Sequence, residues 1–376
     1  MNLTGIAVAV IGAFVAYTNG ANDVSKGIAT LAGGGVASYR RAILWGTLWT
    51  TCGSIAAFGF SHALVITFGK GLLAAGVTPA LPATGAALIG AGLWVGLATR
   101  LGLPVSTTHA IVGSISGVMT IAYGTAGVNW HILAGKIALP LLLSPMLSVV
   151  LTASALKLWN RISRSDADCL CLEVANQYPV LAATAVDIQT APSLPVMGLV
   201  ACRADEAAAP PSRVFWLPFD SLHGFTSATA SFARGLNDAP KMVALVIAAA
   251  ALSSSSSETS FFVYLLIAIG ILAGSLHAGR RITTVLAERI TPMDHREGFI
   301  ANLITSLLVG PGAILGLPMS MTHVASGAII GIGIQRSGAV DWRRIKAMGL
   351  AWIATLPAAA LLGILSYELL RAVRIR

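Results

Sequence analysis

Asp23 is the only acidic residue among the first 165, and it stands in an apolar run as Asn19–Gly–Ala–Asn–Asp–Val–Ser–Lys26. A carboxylate in such surroundings is costly to keep, so it points to a function, and the chemistry open to it is holding a cation or a proton. The same pattern returns as Arg234–Gly–Leu–Asn–Asp–Ala–Pro–Lys241, which makes Asp238 the twin of Asp23, Asn237 of Asn22 and Lys241 of Lys26. Oxygen ligands from Asp23, Asp238, Asn22, Asn237 and backbone carbonyls suit a hard cation such as Na⁺, and the two lysines can neutralise an oxyanion. The simpler reading, Asn and Asp capping a helix, leaves the basic residue three positions on in both copies without a reason.

A second pair of motifs asks for the opposite charge. Gly102–Leu–Pro–Val–Ser–Thr–Thr–His109 matches Gly316–Leu–Pro–Met–Ser–Met–Thr–His323. Pro104 and Pro318 fit a helix start, where unpaired N–H groups and the helix dipole attract anions. The hydroxyls of Ser106, Thr107 and Thr108, with Ser320 and Thr322 from the second copy, complete a cradle of phosphate size. The alternative is that these hydroxyls only cap or bond a neighbouring turn. His109 and His323, one helical turn further on, read as packing or supporting groups rather than ligands. Ser106, His109 and Asp23, or Ser320, His323 and Asp238, also name a possible intramembrane serine-hydrolase triad, a distant alternative because nothing orients the imidazole toward the serine.

The elements that hold these residues must be membrane helices. The chain is 56% hydrophobic and 10% charged, far below the charged share of about a quarter usual in soluble proteins. Stretches without Asp, Glu, Lys or Arg cover 42–69, 71–99, 101–135, 137–156, 242–257 and 298–335, and Phe261–Gly279 is a further run of spanning length. Eight to twelve crossing segments are expected, the first of them at the N-terminus, since no basic residue precedes its apolar run as in a signal peptide. The net charge of +9 lies between apolar runs and sets topology beside lipid head groups, so nucleic acid is excluded as a partner. Cys52, Cys169, Cys171 and Cys202 are too few and scattered for a disulfide framework.

The motifs divide the chain into a first membrane repeat at 1–156, a hydrophilic linker at 157–213 and a second repeat at 214–376. The interval from Asp23 to Ser106 is 83 residues and that from Asp238 to Ser320 is 82. Arg40 and Arg41 follow the first Asn-Asp motif, whereas serines and Glu258 follow the second. The next loop reverses the bias, with Lys70 alone in 61–82 against Arg280, Arg281, Arg289 and Arg296 in 278–297. Opposite charge bias at matching places predicts two inverted-topology repeats with discontinuous or re-entrant helices, an all-α polytopic membrane fold. In that scheme Arg280 and Arg281 are topology anchors, and Arg371, Arg374 and Arg376 fall on the side that the bias disfavours. The linker holds six of the fifteen acidic residues and reads as hydrated and cytoplasmic; β-prone runs at Val180–Val186 and Val196–Val200 allow a small folded insert, and its composition equally allows polar disorder.

These four motifs, in this order, resemble those of the inorganic phosphate transporter (PiT) family, and the similarity covers both membrane halves but not the linker. The resemblance implies an inverted-repeat helical bundle, commonly a homodimer, that carries inorganic phosphate with Na⁺ or H⁺, without a cofactor and without being an enzyme. Asn22, Asp23, Asn237 and Asp238 then belong to the substrate and ion site, and Ser106, Thr107, Thr108, Ser320 and Thr322 cradle the anion. A prokaryotic cytoplasmic membrane is the expected location. Sulfate or another tetrahedral oxyanion is the alternative substrate; protonated phosphate can donate a hydrogen bond to a carboxylate, which fully ionised sulfate cannot. Three residues depart from the family pattern: Lys26 replaces Asn, Pro240 replaces Gln and Met321 replaces Thr. A lysine beside Asp23 can replace a bound Na⁺ electrostatically, which favours H⁺ coupling.

Overall fold

The computed structural model describes residues 3–162, 169–173, 196–197, 214–249, 257–288, 291–336 and 340–374. The first half runs α1 (Leu3–Asp23), α2 (Ser25–Gly33), α3 (Tyr39–Phe60), α4 (His62–Ile66) with a π turn at Thr67–Gly71, α5 (Leu81–Leu101) and α6 (Thr107–Tyr123). It ends with α7 (Trp130–Ile132), which passes through a π-helical stretch into α8 (Leu139–Ile162). The second half runs α9 (Phe219–Ala249), α10 (Ser257–Ala278), α11 (Arg280–Glu288), α12 (His295–Ile314), α13 (Met321–Gln335) and α14 (Trp342–Arg374).

Seven helical segments among the described residues are long and apolar enough to cross a bilayer: α1 with α2, α3, α5, α7 with α8, α10, α12 and α14. α9 has the length, 31 residues, but carries Arg234, Asp238 and Lys241 within it. α6 and α13, at 17 and 15 residues, fall short of the roughly 20 needed to span, as re-entrant helices do. Leu142, Met146, Ile353 and Leu361 are exposed on the long flanking helices α8 and α14, giving them the apolar outer face that lipid requires.

The halves interlock by exchange. α1 packs on α10 of the other half, and α9 packs on α3; α6 packs on α14, and α13 on α8. Small residues permit these close crossings, since lipid gives no hydrophobic drive and contact must come from backbone approach. A Cβ on Gly20 would lie 2.1 Å from the Ile271 carbonyl oxygen and one on Gly274 1.9 Å from that of Tyr17. At the counterpart crossing, Gly235 would meet Thr50 O at 2.3 Å and Gly53 would meet Phe232 O at 2.1 Å. Gly20 and Gly235 hold the same place in the repeated motif, so the duplication extends to the helix contacts.

Both Asn-Asp motifs are helical: Val24 alone separates α1 from α2, with helical angles of φ −55° and ψ −34°, and the second copy lies wholly inside α9. Asp23 does not cap α2, whose N-terminus has no side-chain cap. A continuous helix suits the motif because Asp and Lys three residues apart share one face. Between the halves lies a three-stranded antiparallel sheet, with β1 (Cys169–Glu173) and β2 (Val196–Met197) from the linker, β3 (Val214–Pro218) from the start of the second repeat, and β1 in the centre. The β-prone run at 196–200 supplies β2, while the run at 180–186 and Cys202 lie outside the described residues.

Candidate functional site

Each Gly–Leu–Pro motif ends one helix and starts the next in the same way. Gly102 and Gly316 adopt left-handed angles, φ +75° and +74°, and the N–H of the following leucine reaches back to Ala98 O and Gly312 O, both at 2.9 Å. This Schellman-type ending costs little only for glycine. The chain then runs extended to Ser106 and Ser320, whose side chains cap α6 and α13 by accepting from His109 N at 3.2 Å and His323 N at 3.3 Å. The capping reading therefore holds for these two serines. They also meet: Ser320 Oγ donates to Ser106 Oγ at 3.0 Å, which sets two positive helix ends against each other.

Around this meeting point, all eleven residues expected from the sequence are buried, none more than 4% exposed. On the first side, the Lys26 ammonium is paired with Asp23 and donates to Asn22 O at 2.9 Å, Asn22 Oδ1 at 2.7 Å and Val105 O at 3.4 Å. Four oxygens thus surround one nitrogen. Asn22 is pinned in turn, donating to Thr99 Oγ1 and Leu103 O and accepting from Val105 N. Thr107 Oγ1 donates to Asp23 Oδ2 at 3.1 Å. On the second side, Lys241 Nζ lies 3.5 Å from Asp238 Oδ1 and donates to Met319 O at 3.1 Å and, across the halves, to Thr108 Oγ1 at 2.7 Å. Asn237 donates to Asp238 Oδ1 and Met319 O, while its buried Oδ1 has no hydrogen-bond partner among the described residues. Thr322 Oγ1 also crosses, donating to Val105 O at 2.8 Å.

Sequence reasoning alone misses two members of this cluster. Asn19 donates from one amide to both carboxylates, Asp23 Oδ2 and Asp238 Oδ2, each at 3.2 Å. Arg234, fully buried, donates to Asn19 Oδ1 at 3.1 Å and Thr50 Oγ1 at 3.2 Å and lies 3.8 Å from Asp238 Oδ2. The signal is present, because Asn19 and Arg234 open the two repeated motifs at the same place. A search for identical letters passes over them, and the cluster depends on the pair that differs. Two carboxylates and three basic side chains leave the cluster formally positive by one charge, a field that favours an anion.

His109 and His323 pack ring to ring at 4.6 Å, and His323 also lies on Trp352 at 4.1 Å. His323 Nδ1 donates to Leu141 O at 3.3 Å, and among the described residues His109 Nδ1 has no hydrogen-bond partner. Ser106 Oγ meets a serine and a backbone N–H and makes no hydrogen bond to an imidazole, so the triad needed for a hydrolase is not assembled. Met321 packs with Ala230, Ala233 and Val309, where a threonine hydroxyl would face apolar side chains. Pro240, inside α9, removes one backbone donor between Asp238 and Lys241. Arg280 and Arg281 lie outside the cluster, at one end of the bundle.

Known proteins resemble this chain along nearly its whole length. Two relatives carry the name "Putative phosphate permease": one from Chlamydia pneumoniae, 27% identical over 98% of both chains, and one from Pyrococcus abyssi, 26% identical over 96% of both. A solved structure, "The sodium-dependent phosphate transporter", shares the fold with a TM-score of 0.78, at 24% identity over 99% of this chain and all of that one. With relatives named as phosphate permeases in bacteria and archaea, and seven segments among the described residues long and apolar enough to cross a bilayer, the protein is a multi-pass integral membrane protein of a transporter family and not an enzyme. The model of the phosphate transporter family matches residues 19–363, a range that contains all four motifs and the whole buried cluster, and the chain belongs to that family.

Proposed function

We propose that this chain moves inorganic phosphate across a prokaryotic cytoplasmic membrane with H⁺ as its coupling ion, Lys26 standing where a metal cation would otherwise neutralise Asp23. The observation that carries this reading is the oxygen set around the Lys26 ammonium: a carboxylate, a side-chain amide and two backbone carbonyls. Such a set suits a hard cation, and here a covalently tethered one fills it. The anion binds where the two helix ends meet, held by Ser106, Ser320, Thr107, Thr108 and Thr322, with Lys241 as counter-ion. Its proton arrives as a P–OH group that donates to a carboxylate. Because so many of these bonds cross between the halves, rocking one half against the other opens the buried cluster toward one side and then the other.

A second reading places one Na⁺ at Asp238, supported by the unpartnered Asn237 Oδ1 beside it and by the sodium dependence that the solved relative's name states for that protein. Association as a homodimer is proposed on the family resemblance. The deciding experiment is uptake of labelled phosphate into proteoliposomes under an imposed pH gradient without sodium, with Asp23→Asn protein as the blank. Uptake by the wild type alone supports H⁺ coupling through Asp23. Uptake that stays strictly Na⁺-dependent at every pH refutes it.

A further inference from the structure

Beyond the buried cluster, four arginines gather around one open cavity of about 740 Å³: Arg100 from the last turn of α5, Arg280 and Arg281 from the start of α11, and Arg344 from the start of α14. Three helices separated in sequence supply them, and all four are exposed. Topology alone asks only that basic residues lie on one side of the membrane, not that they surround a common space. Among the described residues, only Arg344 has a carboxylate within 4 Å, Asp341 at 3.8 Å, so the cavity has strong positive charge in excess. Its wall also includes Thr99 and Leu103, which are the two partners that hold the Asn22 amide of the buried cluster. One hydrogen-bonded residue therefore separates the arginine-lined space from the lysine-paired Asp23.

We infer that this cavity is a second binding station for a phosphoryl anion, on the route between solvent and the buried cluster, with Asn22 as the partition and free phosphate as its occupant. The inference rests on the proposed phosphate transport. Guanidinium groups pair with phosphate oxygens in a bidentate fork, and a focused positive field raises the local concentration of the anion at the mouth of its path. The same chemistry would accept the phosphate of an anionic lipid head group, since the cavity lies where helices leave the apolar layer.

The test reads binding at the cavity itself. Thr284, on the cavity wall, is changed to cysteine in protein whose native cysteines are serine, and its labelling by a negatively charged thiol reagent is timed in phosphatidylcholine nanodiscs. Millimolar inorganic phosphate is expected to slow labelling about fivefold. The protection should persist when Ser106→Ala impairs the buried cradle and vanish when Arg281→Gln and Arg344→Gln are combined. Equal protection with and without the two arginines overturns the inference, as does no protection by phosphate. Protection that appears only when phosphatidylglycerol is added assigns the cavity to lipid and overturns it as well. Uptake by the parent protein, measured in parallel, shows separately whether the transport reading stands.

Discussion

Replacing Lys26 by asparagine, the residue usual at this place in the family motif, tests whether its ammonium does the work of a coupling cation. In the wild type that nitrogen satisfies the Asp23 carboxylate, both oxygens of Asn22 and the Val105 carbonyl. The variant leaves Asp23, 2% exposed, with only neutral donors, Asn19 Nδ2 at 3.2 Å and Thr107 Oγ1 at 3.1 Å. Stripping one partner from a buried ion pair costs about 3 kcal/mol or more. At 1.4 kcal/mol per decade this is about a hundredfold in the population of the competent state. Sodium can repay that cost by entering the oxygen set, and an impermeant organic cation cannot. Uptake by Lys26→Asn protein should therefore fall about a hundredfold in choline medium and recover as NaCl replaces choline, while the wild type stays indifferent. The thermal midpoint in detergent should rise with sodium for the variant only. Wild-type uptake by the variant without sodium, together with a sodium-independent midpoint, would show that Lys26 is not a surrogate cation.

Two further outcomes follow from packing and capping. Gly274→Ala puts a methyl group 1.9 Å from the Tyr17 carbonyl oxygen, so α1 and α10 must part; a loss of about 1–3 kcal/mol is expected in the detergent melting midpoint, against no change for Gly59→Ala, which has open space. Ser106→Ala and Ser320→Ala each remove an N-cap worth about 1 kcal/mol, and because the two hydroxyls bond each other the double variant should lose less than the sum of the singles, which equilibrium unfolding of all three proteins measures.

The duplicated motifs make the architecture readable, because a carboxylate and a run of hydroxyls in apolar sequence have few physical uses. The repeat spacing by itself pairs Asp23 with Asp238. What stays hidden has definite causes. Helical continuity through Asn237 and Asp238 cannot be read from local preferences, since Asn, Asp and Pro240 all disfavour a helix interior and the surrounding helices override them. The cross-half bonds of Lys241 with Thr108 and of Thr322 with Val105 depend on how α6, α9 and α13 meet, which no spacing within one half reveals. Arg234 is the most costly omission: an arginine next to a glycine in an apolar run looks like a boundary residue, yet it is fully buried. The arginines of α11, considered one at a time, look like anchors; their common cavity exists only once α5 and α14 are in place.

The two halves agree in the left-handed glycines and the serine caps, and they disagree in charge at the place where agreement would be self-defeating. If both motifs opened with arginine, two guanidinium groups would converge on one pair of carboxylates; if both opened with asparagine, Asp238 would lose one of its two basic neighbours. With Asn19 facing Arg234, one amide donates to both carboxylates and its oxygen accepts from the guanidinium, so a single bridge joins these three charged groups, and Lys26 and Lys241 bring the cluster to one net positive charge. That arrangement predicts the consequence of Asn19→Ala. Asp23 keeps Lys26 and Asp238 keeps Arg234 and Lys241, so the fold should survive with a loss of about 1–2 kcal/mol from missing hydrogen bonds. The link between the two carboxylates, which belong to different halves, is gone, and phosphate uptake should fall at least about tenfold, the equivalent of 1.4 kcal/mol. A variant that melts as predicted and still transports at the wild-type rate would mean that the two carboxylates act independently, each within its own half.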